Sequence, residues 1–152
     1  MKITKTHQAE WQTALDRGHF KTRRKHLGGE KLTAGLWELS PGARSFPMHT
    51  HAITEEAMFV VSGNGVVRTP EGDTPIEPGD YVSFPPGGPA HQLVNTGDQP
   101  MVFLAMSATQ GFDIVSYPHS KKIAASVGAF PNNKRDVFRE ADQVDYFDGE
   151  EQ

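Results

Sequence analysis

Apolar residues recur along this chain in short runs that are closed by clusters of Gly, Pro, Asn, Asp and Ser, a punctuation that predicts strands and tight turns. Residues 31–39, KLTAGLWEL, alternate weakly and read as a strand, with Trp37 a core aromatic by default. Ser40-Pro41-Gly42-Ala43 breaks it. Residues 45–62 and 81–95 read as strand-rich segments, and Glu56 to Val61 is apolar on both faces, which predicts a central strand covered on both sides. Ser62-Gly63-Asn64-Gly65 is a hairpin signal, followed by a short strand over Val66 to Thr69 and a turn at Pro70 to Asp73. Ile76 to Phe84 returns, interrupted by Pro78-Gly79-Asp80. Met101 to Met106 is dense enough to be a core strand. Only residues 6–18 depart from this rhythm: Trp11, Ala14 and Leu15 stand at helix-like spacing and predict a short helix or an irregular arm. About eight to ten short strands predict an all-β sandwich or jelly-roll barrel.

Composition adds limits. A chain of 152 residues is one domain by length, and Gly 15 and Pro 11 supply the turns the pattern requires. The absence of Cys removes disulfides and thiolate ligands, leaving His and carboxylate for any metal work. No apolar stretch is long enough for a membrane helix and no leader is visible, so a soluble cytoplasmic protein with no membrane partner is the expectation. The net charge of -4 and the lack of an aromatic-basic stacking pattern argue against nucleic acid. The charge is uneven, with a basic excess over residues 1–31 and an acidic excess over 132–152. The run Lys21, Arg23, Arg24, Lys25 reads as a solvated face. In the acidic tail, Val144, Tyr146 and Phe147 form an apolar handle expected to dock on the barrel or on a second subunit.

Candidate chemistry lies in His49-Thr50-His51, then Glu56, then His91 beyond a Pro/Gly-rich turn. Residues two apart on a strand share a face, so His49 and His51 project together, Glu56 returns over that face, and His91 closes a three-nitrogen, one-oxygen set. Gly42 to Gly63, which contains His49, His51 and Glu56, resembles the first motif of the cupin superfamily. Gly79 to Asn95, which contains Pro85, Gly87 and His91, resembles the second. Gly42 stands one residue farther from His49 than that pattern has it, and the turn before His91 is one residue longer; both changes fall in turns.

The resemblance implies a cupin-type double-stranded β-helix over residues 31–118, with an N-terminal arm over 1–30 and a C-terminal strand and acidic tail over 119–152. It also implies a homodimer and one divalent transition metal per chain held by His49, His51, Glu56 and His91. Three imidazoles and a carboxylate suit Fe, Mn, Ni, Zn or Cu and leave positions open for a small molecule. Strand parity turns Ser45, Pro47, Met58, Val60, Leu93 and Asn95 toward the same space, predicting a largely apolar cavity, with Phe103 and Met106 as core or lining. Glu55 has the opposite parity. Arg44, Gln92, His26 and Arg68 are neighbouring candidates for a polar role, and Arg23, Arg24 or Lys121 for a phosphate contact. Three functions fit: a metal-dependent enzyme acting on a small oxygenated molecule in the manner of sugar or sugar-phosphate isomerases, a mononuclear iron dioxygenase, and a non-catalytic module that binds a carboxylate or a sugar.

Overall fold

The structure, a computed structural model, describes residues 1–128 and 133–150. It is built almost wholly of antiparallel strands in three sheets. The first has six strands, in the order β1 (Gln12–Arg17), β2 (Phe20–Gly28), β3 (Leu32–Leu39), β10 (Met101–Ala108), β5 (Glu55–Ser62) and β8 (Tyr81–Phe84). The second runs β13 (Lys134–Arg139), β12 (Lys122–Val127), β11 (Phe112–Tyr117) and β4 (Thr50–His51). The third is β7 (Gly72–Ile76), β6 (Gly65–Thr69) and β9 (Gln92–Asn95). Pro118–Ser120 and Glu140–Asp142 form single turns of 3-10 helix, and no helix among the described residues is long and apolar enough to cross a membrane.

The core follows from register. On β10, Met101 pairs with Leu39 and Phe103 pairs with both Trp37 and Val60, so alternate residues of three neighbouring strands meet on one face. Met58, Val67, Ile76 and Leu93 complete that cluster. Each fully buried side chain of this size contributes roughly 1.5–3 kcal/mol. Buried Asn95 ties the third sheet to the first: its amide donates to the carbonyls of Leu39 and Gln99, both at 2.9 Å. A side chain so satisfied costs little to bury.

Four expectations are corrected. The helix-like spacing over 6–18 resolves as a turn followed by β1, where a register shift between Thr13 and Leu15 sets two successive residues, Ala14 and Leu15, inward and imitates a helical face. Strand β5 is central in its sheet, but Phe59 and Val61 on its other face are 39% and 49% exposed, so it is covered on one side only. The tail residues Val144, Tyr146 and Phe147 are exposed and do not dock on the barrel of their own chain. The basic run is not uniformly solvated, because Arg24 lines a partly enclosed cavity.

Candidate metal centre

The imidazoles reach their positions by different backbone devices. His49 and His91 face each other across an isolated antiparallel bridge, His49 N–H donating to the His91 carbonyl at 3.2 Å and the reverse bond closing at 2.9 Å. His51 follows on β4, which β11 anchors through the pairs Val115 with His51 and Ser116 with Thr50. Thr50 points away and donates its hydroxyl to the Gly88 carbonyl at 2.7 Å, pinning the turn that carries His91. Glu56 enters from β5 with the inward parity of Met58 and Val60, while Glu55 is exposed.

The donor atoms converge on one carboxylate oxygen. Glu56 Oε2 lies 3.8 Å from His49 Nε2, 3.4 Å from His51 Nε2 and 3.5 Å from His91 Nε2. The ligand atoms of His49, His51 and Glu56 all lie within 4.8 Å of one another; His91 stands outside that mutual set yet shares the oxygen. The other carboxylate oxygen, Oε1, accepts from Ser107 Oγ at 3.0 Å.

Tautomers follow from the far side of each ring. His49 Nδ1 meets the Pro47 carbonyl at 2.8 Å, His91 Nδ1 meets the Pro89 carbonyl at 3.4 Å, and His51 Nδ1 meets Asp113 Oδ2. Carbonyl and carboxylate oxygens only accept, so each Nδ1 carries the hydrogen and each Nε2 turns a lone pair toward Glu56. Three lone pairs facing an anionic oxygen repel unless a cation or protons sit among them. The donor set therefore fits a divalent transition metal. Burial alone would raise the Glu56 carboxyl, but with no metal between them the three imidazoles, donating from Nε2 when protonated, hold it well below the usual carboxylate range. Burial would lower His51, yet Glu56 and Asp113 together push it up.

Asp113 was not among the sequence candidates. It arrives on β11, its Oδ1 accepts from Ile53 N–H at 3.0 Å, and it completes a carboxylate–histidine pair of the kind that orients metal ligands. Burial would raise its carboxyl, but His51, Thr54 and the Ile53 amide hold it down. Tyr117 was also missed; its ring centre lies 6.1 Å from that of His49. Phe84 stacks on His91 at 3.8 Å with planes 12° apart, and Phe46 meets His49 edge-on, fixing both rings.

These groups line a cavity of about 430 Å³, within the roughly 300–1,000 Å³ usual for small-molecule sites. Ser45, Pro47, Met58 and Leu93 line it as parity predicted, with Phe103 and Met106. Val60 and Asn95 are fully buried without lining it. The cavity is less apolar than expected, since Arg24, His26, Lys122 and Arg135 also face it. The remaining polar candidates lie elsewhere. Arg68 pairs with Asp73 at 2.7 Å, Gln92 donates to the Phe46 carbonyl, Arg23 pairs with Glu38 at 2.6 Å, and Arg44 and Lys121 are exposed.

A Cupin domain model matches residues 35–107. The chain carries a cupin domain. That match holds the candidate ligands and excludes β1, β2 and the C-terminal hairpin. A glucose-6-phosphate isomerase from Thermococcus onnurineus is 43% identical over 63 residues, covering 38% of this chain and 33% of that protein. The chain thus matches about a third of that relative's length. An oxalate-binding protein from Thermotoga maritima is 36% identical over 69 residues, 45% of this chain and 55% of that one. Similarity to a solved structure runs much farther. A protein from Acidithiobacillus ferrooxidans, provisionally assigned as a sugar phosphate isomerase, superposes with a TM-score of 0.78 at 27% identity, over 91% of this chain and 88% of its own.

Proposed function

We propose that this cupin-domain protein is a metal-dependent isomerase acting on a small sugar or sugar phosphate, with His49, His51, Glu56 and His91 as the metal ligands. The observation that carries the reading is the convergence of three Nε2 atoms on Glu56 Oε2 inside a cavity of substrate size. The likeness to the Acidithiobacillus structure, which extends beyond the cupin domain itself, supports the choice of isomerisation.

A bound divalent ion of manganese, zinc, nickel or iron would act there as a Lewis acid toward adjacent carbonyl and hydroxyl oxygens. The chain's own groups do the rest. Asp113 and the Pro47 and Pro89 carbonyls fix the imidazole orientations, so the ligand geometry is set before substrate arrives. Met58, Leu93 and Phe103 keep the inner wall dry. Among the described residues, the carboxylates lining the cavity are Glu56 and Asp113, and both already face imidazoles. Proton exchange with a substrate carbon or oxygen therefore falls to the Tyr117 hydroxyl and the His26 imidazole, which line the same space.

A second reading is a module that grips a dicarboxylate through the metal without turnover, favoured by the likeness to the oxalate-binding protein. One series of measurements separates the two. Protein purified without chelator or metal-binding tag is analysed for bound elements and then assayed for aldose–ketose interconversion with and without phosphate on the sugar. Near-stoichiometric metal with chelator-sensitive turnover is the expected result. Metal with tight oxalate binding and no turnover assigns the module. Stoichiometric iron with oxygen uptake assigns a dioxygenase instead. A chain that neither holds nor takes up metal ends all three readings.

A further inference from the structure

Three strands outside the matched cupin domain bring charge to the cavity. On β11, β12 and β13 the register places Tyr117 beside Lys122, Asp113 beside Ser126, and Ser126 beside Arg135. Lys122, Ser126, Arg135, Asp113 and Tyr117 all line the cavity, so this face of the hairpin forms one of its walls. The opposite face carries Ile123, Val127 and Phe138, all exposed.

The cations on that wall are held in place. Arg135 Nε donates to Ser126 Oγ at 3.0 Å and its Nη1 to the Tyr117 hydroxyl at 3.5 Å. Two of the guanidinium's five N–H donors are so engaged, leaving the rest of the fork to a ligand. Lys122 Nζ sits 5.5 Å from the centre of the Tyr117 ring. Since Tyr117 itself packs beside His49, a single aromatic ring separates this cationic pole from the metal centre. Arg24 adds a third positive charge, its guanidinium carbon 5.8 Å from the centre of the Trp37 ring. Among the described residues lining the cavity, the carboxylates standing against these are the two already facing imidazoles. The balance of a partly enclosed cavity with three cations favours a dianion.

We infer that the β12–β13 hairpin is the anion-recognition element of this site: Lys122 and Arg135 hold the phosphate of a sugar phosphate whose other end reaches the metal centre. The inference rests on the isomerase reading for the sugar and not for the phosphate. A planar fork beside an ammonium suits a phosphate, which offers several acceptor oxygens and carries about two negative charges near neutral pH. Specificity for phosphorylated over plain sugars then resides in the C-terminal hairpin, while the cupin domain supplies the metal ligands.

The test is equilibrium binding, by calorimetry on the metal-loaded full chain, of glucose 6-phosphate, glucose and gluconate. The proteins compared are the wild type, Lys122→Gln, Arg135→Gln and the double variant. The wild type should bind the phosphorylated sugar at least tenfold more tightly than glucose. Each substitution should weaken that binding roughly ten- to a hundredfold while leaving the affinity for glucose and the metal content unchanged. Loss of the preference in the double variant supports the assignment even if no turnover is seen, a result that would sink the isomerase reading alone. A wild type that does not prefer the phosphate, or that binds no sugar, overturns it. So does a preference that survives in the double variant, or gluconate binding as tightly as the phosphate. Near-ultraviolet circular dichroism checks the fold, and an unfolded double variant leaves the two single variants to decide.

Discussion

Each candidate ligand at this site is specified twice, once by its place on the backbone and once by a partner behind it. Asp113 is the sharpest instance. It fixes His51 by accepting its Nδ1–H and adds negative charge behind the ring, which strengthens Nε2 as a donor. Asp113→Asn keeps the volume and an acceptor oxygen but removes the charge. We expect metal affinity to fall about 10- to 100-fold with the fold intact, read by competition against a calibrated chelator; an unchanged affinity would show the pair to be structural. The sequence exposed the four candidate ligands and hid this partner for a physical reason. His49, His51 and Glu56 lie on neighbouring segments, where a two-residue period brings them together, whereas Asp113 reaches His51 from a strand 62 residues away. Nothing local to Phe112-Asp113-Ile114 distinguishes it from any half-exposed strand. Lys122 and Arg135 were obscured in the same way, since a charged residue alternating along a strand looks alike whether its face meets water or a cavity.

At the scale of elements, the turns fix how the strands approach the site. Gly63 closes the β5–β6 connection at a φ of +78°, and a Cβ there would stand 2.6 Å from the Pro100 carbonyl oxygen and 2.7 Å from Met101 Cα. Both obstacles are backbone, at the entrance to β10, so they cannot rotate aside. Gly42, with a φ of +70°, has nothing within 4 Å of the same position. The two glycines therefore separate conformational strain from steric conflict. Gly42→Ala should lose about 1–2 kcal/mol for its left-handed backbone alone, and Gly63→Ala should lose clearly more, measured by urea unfolding. Equal losses would mean that the β5–β6 turn is free to move away from β10. Element boundaries were well marked in the sequence where Gly and Pro cluster, as at Ser62 to Gly65 and Pro78 to Asp80. They failed at β1, where the register shift between Thr13 and Leu15 breaks the alternation that identifies a strand.

For the whole molecule, the decisive relation is between the core and the centre. Leu39, Met58, Val60, Met101 and Phe103 bury an apolar cluster whose members pair across β3, β10 and β5 and make no use of a metal. The candidate ligands belong instead to β4 and the residue before it, the start of β5 and the turn before β9, at the edge of that cluster. Removing the metal should therefore leave a folded chain, in contrast to small domains whose only core is the metal itself. A metal that binds the native but not the unfolded chain adds about 2.7 kcal/mol at a free concentration one hundred times its Kd. For a chain of this size that corresponds to a rise in Tm of roughly 5–11 °C. Thermal unfolding followed by far-ultraviolet circular dichroism, with and without chelator, reads both parts. The chelated protein should keep its β spectrum and one cooperative transition, and returning the metal should restore the higher Tm. Loss of the cooperative transition on chelation would make the centre a folding element. An unchanged Tm across a metal titration would show that the three imidazoles and Glu56 do not hold an ion in the native state.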